Sequence, residues 1–341
     1  MKKIKVLVVE DSLLFQRLLV DNLSKDPMIE IIGVAKDPYE ARDHIVKQKP
    51  DVMTLDLEMP RMGGLEFLRK LMPQVPIPTV LITSLIDKVF DAIRAGAVDF
   101  VAKPSGKDRS QIESFIQQEL AAKVKIASTV KVDRLKKTKP EYHHLNSLAP
   151  GASKKVIAIG ASTGGTEAIY EVISKFEQDI PGVVVVQHMP PGFTNMYANR
   201  LNNQCKVVVK EAEDGDKVVP GQVLIAAGDK HMRLKKVGGS YVVECKAGEK
   251  VSGHCPSVDV LFQSVAETAG KDAIGVILTG MGRDGAAGLL QMKNAGALTV
   301  GQDQASSVVY GMPKEAFKCG AVMYQEHLDN IADRVYRLLE K

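Results

Sequence analysis

Long apolar runs are absent from this sequence of 341 residues. No stretch reaches the roughly 18 consecutive apolar residues that a membrane-spanning helix needs, so we expect no direct insertion into a membrane. The first residues, MKKIKVLVVEDS, begin like a secretory signal, but their short apolar part ends at Glu10 and Asp11. The sequence therefore predicts a cytoplasmic protein.

Cysteine is scarce, and its spacing excludes the usual metal-binding patterns. The chain has four cysteines, none in a C-x-x-C pair: Cys205, Cys245, Cys255 and Cys319. We expect reduced, partly buried thiols, and neither disulfide bonds nor zinc ligands.

An excess of charge of one sign is also missing. The formal net charge is only +4, so composition gives no reason to expect a nucleic-acid partner. Hydrophobic residues make up 45% and charged residues 25%, as in ordinary soluble globular proteins. The length favours two domains over one.

Short apolar runs alternate with helical patterns through the first third of the chain. This alternation predicts a doubly wound parallel α/β sheet of five strands, flavodoxin-like in type. The predicted strands lie at 4–9, 31–34, 52–55, 79–83 and 100–102, and the predicted helices at 13–24, 38–48, 65–72, 89–95 and 112–125.

Polar residues follow these predicted strands, at the edge where such sheets bind ligands. They are Glu10 and Asp11, Asp56, Thr83 and Lys103. Carboxylates gathered there would repel one another, and a hard divalent cation such as Mg²⁺ would relieve that repulsion. A set of solvated loop charges is the alternative interpretation.

The same residues carry a resemblance to the response-regulator receiver domain. The matching motifs are E-D at 10–11, DLEMP at 56–60, Thr83 and K-P at 103–104, in order and with matching spacing. The resemblance implies that Asp56 accepts a phosphoryl group from a histidine kinase.

The resemblance also implies roles for the residues around Asp56. Mg²⁺ would be held by Glu10, Asp11, Asp56 and the backbone carbonyl of Glu58. Thr83 and Lys103 would contact the phosphoryl oxygens, and Phe100 would occupy the aromatic switch position. Phosphorylation would then act through a bistable element, because it adds charge and acceptor oxygens beside Thr83.

Periodicity fades between residues 123 and 153, where basic residues greatly outnumber Asp133 and Glu141. This composition indicates a basic interdomain linker, with a possible extension of the fifth helix at its start. A docking surface for an acidic partner is the alternative. We interpret His143 and His144 as linker residues and not as metal ligands.

The second half opens with KVIAIGASTGGT at 155–166, which predicts a strand, a glycine turn and a helix. Gly160, Ser162 and Gly164 form G-x-S-x-G, the pattern of a nucleophile elbow. The alternative is a glycine turn that binds phosphate at a helix N-terminus. Two later strands also end in reactive residues, namely His188 after 183–186 and Asp284 after 273–278.

Serine, histidine and aspartate at the ends of three parallel strands favour a catalytic triad. His188 alone would usually be structural, and Asp284 alone an N-cap of the following helix. The chain order differs from the Ser-Asp-His order of α/β-hydrolases, so that fold is not implied. Gln187 and His188 stand where a dinucleotide site needs an acid, which weakens that interpretation. His231 and His254 are further candidates to approach the site.

This half predicts a larger Rossmann-like α/β domain with an antiparallel hairpin at one edge, turning at Gly238-Gly239. Its motifs resemble the chemotaxis receptor protein-glutamate methylesterase (CheB) family. The resemblance is carried by GASTGG, QHMPPGF, HCPSVD at 254–259, TGMGRDG at 279–285 and GQDQASSVVYGMP at 301–313. It implies a triad of Ser162, His188 and Asp284, with the backbone N–H of Met281 in the oxyanion site.

The resemblance also implies the activity and the domain plan. The enzyme would demethylate glutamyl γ-methyl esters on methyl-accepting chemotaxis receptors and deamidate certain receptor glutamines, with no cofactor for either reaction. The expected domains are a receiver at 1–122, a linker at 123–153 and a catalytic domain at 154–341. We hypothesise that the unphosphorylated receiver covers the Ser162 site.

Two other functions need features that the sequence lacks. A DNA-binding response regulator would need a basic recognition helix after the receiver, and the second half offers parallel strands instead. A nucleotide-dependent enzyme would need dinucleotide or Walker spacings, which are missing.

Overall fold

A computed structural model describes residues 2–104, 106, 108–130 and 154–340. The chain divides into two compact units, Met1–Lys137 and Thr138–Lys341. Most of the predicted linker, from 131 to 153 and including His143 and His144, lies outside the described residues. Within the described ranges, no helix combines the length and apolar character needed to cross a membrane.

The first unit is the predicted five-stranded parallel sheet, with strand order β2-β1-β3-β4-β5. Apolar strands buried on both faces explain why these runs read as continuous hydrophobic sequence. In chain order the elements are β1 Ile4–Val9, α1 Leu13–Leu23, β2 Ile29–Ala35, α2 Pro38–Gln48, β3 Val52–Leu55, α3 Gly64–Leu71, β4 Thr79–Thr83, α4 Ile86–Arg94, β5 Asp99–Ala102, α5 Arg109–Phe115 and α6 Ala121–Ala127.

A single π-helical turn, Ile116–Leu120, joins α5 to α6, so the last helical segment continues to Ala127. Two lysines that the sequence places in the linker, Lys123 and Lys125, therefore lie on α6. Lys123 Nζ is 2.7 Å from Asp99 Oδ1, and Lys125 Nζ is 2.7 Å from Asp26 Oδ2. These ion pairs join α6 to the rest of the first unit.

The second unit contains a seven-stranded sheet with order β14-β13-β12-β6-β7-β9-β8, and all its pairings are parallel. Its elements are β6 Val156–Ala161, α7 Gly165–Ile173, β7 Gly182–Gln187, α8 Phe193–Asn202, β8 Val208–Glu211, β9 Gln222–Ile225, β10 His231–Val237, β11 Ser240–Lys246, α9 Val258–Thr268, β12 Ala273–Ile277, α10 Ala286–Asn294, β13 Leu298–Gln302, α11 Met312–Lys318, β14 Tyr324–Glu326 and α12 Leu328–Leu339.

The strand order changes direction at β6, the first strand of this unit. The next strand in the chain, β7, pairs with one side of β6, and the later strand β12 pairs with the other. Doubly wound sheets bind ligands at such a switch point, beyond the carboxyl ends of the strands. The segments that follow β6, β7 and β12 therefore meet at the position where a site is expected.

Strands β10 and β11 form the predicted antiparallel hairpin, as a separate two-stranded sheet. Gly238 and Gly239 both have positive φ, as this tight turn requires. The hairpin packs on α9, where Ser264 Oγ accepts from the Leu234 N–H at 2.9 Å. The edge of the large sheet beyond β7 is formed by β9 and β8.

Helix α9 packs closely on β6, and Gly160 allows the approach. A Cβ at position 160 would lie 2.1 Å from Val258 Cγ1 and 3.2 Å from the Phe262 ring. Phe262 and Val258 are fully buried. The first glycine of G-x-S-x-G thus brings the N-terminus of α9 to the end of β6.

Candidate active site

Ser162 lies in the turn between β6 and α7, as the sequence predicts. Its N–H donates to the Thr279 carbonyl at 3.0 Å, and its carbonyl accepts from Gly165 N–H at 2.7 Å. Gly164 has φ of 78°, a left-handed conformation that suits glycine. The turn is therefore fixed on both sides by backbone bonds, and the serine is only partly buried.

Gln187, the last residue of β7, also holds this turn. Its Nε2 donates to the Ser162 carbonyl at 2.9 Å and to the His188 carbonyl at 3.2 Å. The loop after β13 adds a further brace, because Gln302 Oε1 accepts from the Thr279 N–H at 2.7 Å. The GQDQ motif containing Gln302 is visible in the sequence, but its contact with the β12 loop is not.

His188 lies beside the serine turn. Ala161 pairs with Gln187 across β6 and β7, and the His188 N–H donates to the Ala161 carbonyl at 3.2 Å. Ser162 and His188 are therefore the next residues along two neighbouring strands. The His188 side chain is only 7% exposed.

The two ring nitrogens of His188 have different surroundings. Nε2 is 2.7 Å from Asp284 Oδ2. Because a carboxylate only accepts, Nε2 carries the proton and Nδ1 has the free lone pair. Among the described residues, buried Nδ1 has no hydrogen-bond partner. Ser162 and His188 are thus adjacent, but no hydrogen bond joins them in this structure.

Asp284 is held at the N-terminus of α9. Its carboxylate accepts four hydrogen bonds, from His188 Nε2 at 2.7 Å, Ser257 Oγ at 2.8 Å, Val258 N at 2.8 Å and Asp259 N at 3.0 Å. The N-cap of its own following helix, α10, is Gly285. Asp284 is therefore not the N-cap of α10, and its carboxylate occupies the N-terminus of a different helix.

These contacts determine the ionisation of Asp284. Burial alone would raise the pKa of this carboxyl, which is 2% exposed. The hydrogen bond and positive charge of His188, with bonds from Asp259 N and Ser257 Oγ, outweigh burial and lower the pKa to about 2. The carboxylate is consequently an anion at neutral pH, and its Oδ2 accepts the hydrogen bond from His188 Nε2.

Two further histidines lie near the triad candidates, and sequence patterns do not show which of them contacts His188. The His254 ring stacks on His188, with centroids 3.7 Å apart and planes 11° from parallel. His231 is 1% exposed and lies behind the site, where Nδ1 accepts from the Ser257 N–H at 3.2 Å. The sequence offered both histidines as candidates, and the structure brings only His254 against His188.

Met281 follows β12 in the TGMGRDG loop, and its side chain is 49% exposed. The preceding residue, Gly280, is fixed by a bond from its N–H to the Val309 carbonyl at 3.0 Å. The Ser162 N–H bonds one residue earlier, at Thr279. Gly280, the residue before Met281, lies against Ser162, because a Cβ at position 280 would be 2.8 Å from Ser162 Cβ.

A second polar cluster lies in the first unit. Glu10, Asp11 and Asp56 each place a carboxylate oxygen within 4.8 Å of the others. Glu10 and Asp56 are buried, and Asp11 is exposed. This oxygen-only set with one side open to water fits Mg²⁺, which retains several waters when bound.

Lys103 neutralises part of this acidic cluster. Its Nζ is 2.9 Å from Glu10 Oε1 and 2.7 Å from Asp56 Oδ2. Burial, with the repulsion from Asp56, keeps the pKa of Glu10 above its usual value despite the bond from Lys103. The Glu58 N–H donates to Asp56 Oδ1 at 2.9 Å, so the Glu58 peptide is also at the site.

Thr83 and Phe100 are both buried on the strands next to this cluster. Thr83 Oγ1 accepts from the Leu85 N–H at 3.0 Å. Phe100 packs edge-on against Phe90, with ring centroids 6.4 Å apart. Thr83 also adjoins the cluster through Lys103, whose N–H donates to the Thr83 carbonyl at 2.9 Å, whereas the contact shown for Phe100 is with Phe90.

Comparison with known proteins gives the same division of the chain. The CheB methylesterase family matches residues 157–335, and the response regulator receiver domain family matches residues 6–116. A Syntrophomonas wolfei protein named protein-glutamate methylesterase/protein-glutamine glutaminase 2 is 56% identical, covering 100% of this chain and 99% of that protein. A Sulfurimonas denitrificans protein of the same type is 52% identical, covering 99% of each chain.

A solved structure resembles the second unit. The crystal structure of the Thermotoga maritima CheB methylesterase catalytic domain superposes with a TM-score of 0.53 at 38% identity, covering 54% of this chain and 98% of that one. The likeness supports the observed strand arrangement around β6.

The depressed pKa of Asp284 makes its stabilising effect depend on pH. The effect is complete above the unfolded value near 4 and is lost as the pH falls toward about 2. We expect the difference in unfolding free energy between wild type and Asp284→Asn to shrink by about 2 kcal/mol across this window. Urea unfolding of both chains at pH 5, 4, 3 and 2.5 measures it. A difference that stays constant or grows on acidification would contradict this assignment.

Proposed function

This chain belongs to the CheB methylesterase family, and we propose that it is a protein-glutamate methylesterase/protein-glutamine glutaminase that uses Ser162, His188 and Asp284. The observation that supports the mechanism best is the state of His188, which Asp284 holds through Nε2 with Nδ1 unpartnered beside the Ser162 turn. A base with its lone pair free next to a serine is the arrangement that nucleophilic acyl transfer requires. The substrates are methyl esters and amides on the side chains of chemotaxis receptors.

The reaction begins at Ser162. A rotation of its side chain brings Oγ to His188 Nδ1, and the hydroxyl proton passes to that nitrogen as Oγ attacks the ester or amide carbonyl. His188 becomes imidazolium, and the Asp284 anion stabilises this charge through Nε2. This mechanism gives the two ring nitrogens opposite roles, with Nε2 for orientation and Nδ1 for proton transfer.

The carbonyl oxygen gains negative charge in the tetrahedral intermediate. We assign its stabilisation to backbone N–H groups of the 279–285 loop, with that of Met281 the leading donor. Fixed amide dipoles stabilise such a charge without reorganisation. The bonds at Thr279 and Gly280 hold this loop in place before the substrate arrives.

Breakdown of the intermediate returns the proton from His188 Nδ1 to the leaving group. An ester releases methanol and a glutamine amide releases ammonia, in each case leaving an acyl-enzyme on Ser162. Water then attacks the acyl carbon with His188 again as base, and glutamate leaves. One site can therefore perform both demethylation and deamidation, and these steps need only groups of the protein and water.

The first unit supplies regulation in this proposal. Asp56 is the phosphoryl acceptor, with a chemotaxis histidine kinase as donor. Mg²⁺ would be held by Glu10, Asp11, Asp56 and the Glu58 carbonyl, and when bound it would neutralise charge during phosphoryl transfer. Lys103 is already in contact with Asp56, and Thr83 and Phe100 respond to the new charge.

Phosphorylation of Asp56 relieves an inhibition of the esterase unit. The domain plan is a receiver at 1–122, a linker at 123–153 and a catalytic domain at 154–341, and the protein acts in the cytoplasm. The sequence motifs and the contacts of partly buried Lys103 with buried Asp56 and Glu10 support this regulatory role.

Replacing the nucleophile tests the mechanism directly. Ser162→Ala should lower methanol release from a methylated receptor by about three or more orders of magnitude, because no group remains to form the acyl-enzyme. Ser174, at the C-terminal end of α7, provides a matched control, since Ser174→Ala removes a serine hydroxyl away from the site. Retention of more than a tenth of the wild-type rate by Ser162→Ala would rule out the serine mechanism.

Regulation is tested with a small acyl phosphate as phosphoryl donor. In the presence of Mg²⁺, the donor should increase methanol release by wild type, and the ratio of rates with and without donor should fall to about one in Asp56→Asn. An equal increase in both proteins would place the regulatory site elsewhere.

A further inference from the structure

We propose that Ser257 is a positioning residue for the hydrolysis, because its hydroxyl fixes the Asp284 carboxylate in the orientation that holds His188. This inference rests on the proposed function, since it gives Ser257 a part in the Ser162 reaction. Ser257 is the residue before α9 and is fully buried. Its side chain touches neither Ser162 nor His188 among the described contacts, so its effect is exerted through Asp284.

The two oxygens of Asp284 are divided between two sets of donors. Oδ1 accepts from Ser257 Oγ at 2.8 Å and from Asp259 N at 3.0 Å. Oδ2 accepts from His188 Nε2 at 2.7 Å and from Val258 N at 2.8 Å. The Ser257 bond therefore restricts rotation of the Asp284 carboxylate about its Cβ–Cγ bond. In this orientation Oδ2 points toward His188.

Ser257 is itself constrained to make this bond. Its Oγ also accepts a weak bond from the Val260 N–H at 3.5 Å, as an N-cap does. The hydroxyl proton therefore remains available to donate to Asp284. Its N–H donates to His231 Nδ1 at 3.2 Å, and His231 Nε2 is 2.8 Å from the Glu249 carbonyl. A neutral buried His231 with its proton on Nε2 thus anchors the backbone of Ser257 to the loop after β11.

Loss of the Ser257 hydroxyl has a predictable electrostatic effect. Oδ1 would keep only the Asp259 N–H, so more of the negative charge of Asp284 would act on His188. The titratable groups that face this pair are Asp259 on α9, His254 stacked on the ring, and His231 behind Ser257. A stronger attraction between the Asp284 anion and the imidazolium form of His188 moves the acid limb of the rate profile to higher pH.

A helix cap is the competing explanation for the same contacts, and two substitutions separate the roles. Alanine is a poor N-cap, whereas glycine is a tolerated one. Ser257→Ala and Ser257→Gly both remove the donor to Asp284, and only the first also removes an adequate cap. Ser257→Thr keeps a hydroxyl for both purposes.

The experiment measures methanol release from a methylated receptor by the full chain across pH 5 to 9. Ser257→Ala and Ser257→Gly should each lower kcat by about 10- to 100-fold, with KM changed less than about twofold, the loss expected for one hydrogen bond to a charged group. The acid limb should move to higher pH in both variants. Ser257→Thr should recover most of the rate.

Ser264 provides the matched control on the same helix. It is also a buried serine with two hydrogen bonds, to Leu234 N and the Leu261 carbonyl, but it has no bond to Asp284. Ser264→Ala should keep kcat and the acid limb of the profile within about twofold and 0.2 pH units of wild type. A matching loss in Ser264→Ala would show that the effect is structural and would overturn the proposal.

Other outcomes would also overturn the inference. If Ser257→Gly retains the wild-type rate and profile, the side chain acts only as a cap or has no part in the reaction. If Ser162→Ala abolishes methanol release while Ser257→Ala and Ser257→Gly keep the wild-type rate, the inference fails and the proposed function stands. If Ser162→Ala releases methanol as fast as wild type, the proposed mechanism itself fails.

Discussion

The arrangement of the second unit depends on one buried anion, the Asp284 carboxylate at the N-terminus of α9. A buried charge without partners is costly, and here four donors and the positive end of a helix dipole offset that cost. The requirement for these donors explains why α9 must reach the sheet at the end of β6. Gly160 permits this contact by leaving room for Val258. One glycine of the serine turn therefore also serves the aspartate.

The same anion determines the chemistry of the neighbouring histidine. Because Asp284 binds Nε2, the basic lone pair of His188 is on Nδ1, and the parallel pairing of β6 with β7 puts the backbone of His188 next to the serine turn. In the first unit the balance is different. There, carboxylates gather around Lys103, in an oxygen-rich cluster that is compatible with a bound Mg²⁺. In the second unit the Asp284 anion is thus fully hydrogen-bonded by the protein. In the first unit the acidic cluster retains negative charge that a cation could neutralise.

The sequence predicts the sheets and the ends of their strands well, because continuous apolar runs and glycine turns are local signals. It also identifies Ser162, His188 and Asp284 as residues at strand ends, and the structure places them together. The helix that receives Asp284 could not be predicted, since an aspartate before α10 would ordinarily cap α10. The contacts of Ser257 and His231 could not be predicted for the same reason. Their partners are distant in sequence, and only the packing of α9 and the hairpin brings them into contact.

Determining the tautomer of His188 tests most directly whether Asp284 holds the proton on Nε2. Nitrogen-15 NMR of the histidine-labelled full chain near pH 8, with His188→Gln to assign its signals, reports which ring nitrogen carries the proton. We predict a protonated Nε2 with a strongly hydrogen-bonded proton, and an unprotonated Nδ1. Substitution of Asp284 by asparagine should weaken that hydrogen bond. A proton on Nδ1 in the wild-type chain would contradict the proposed mechanism, because that nitrogen would then be unable to accept the Ser162 proton.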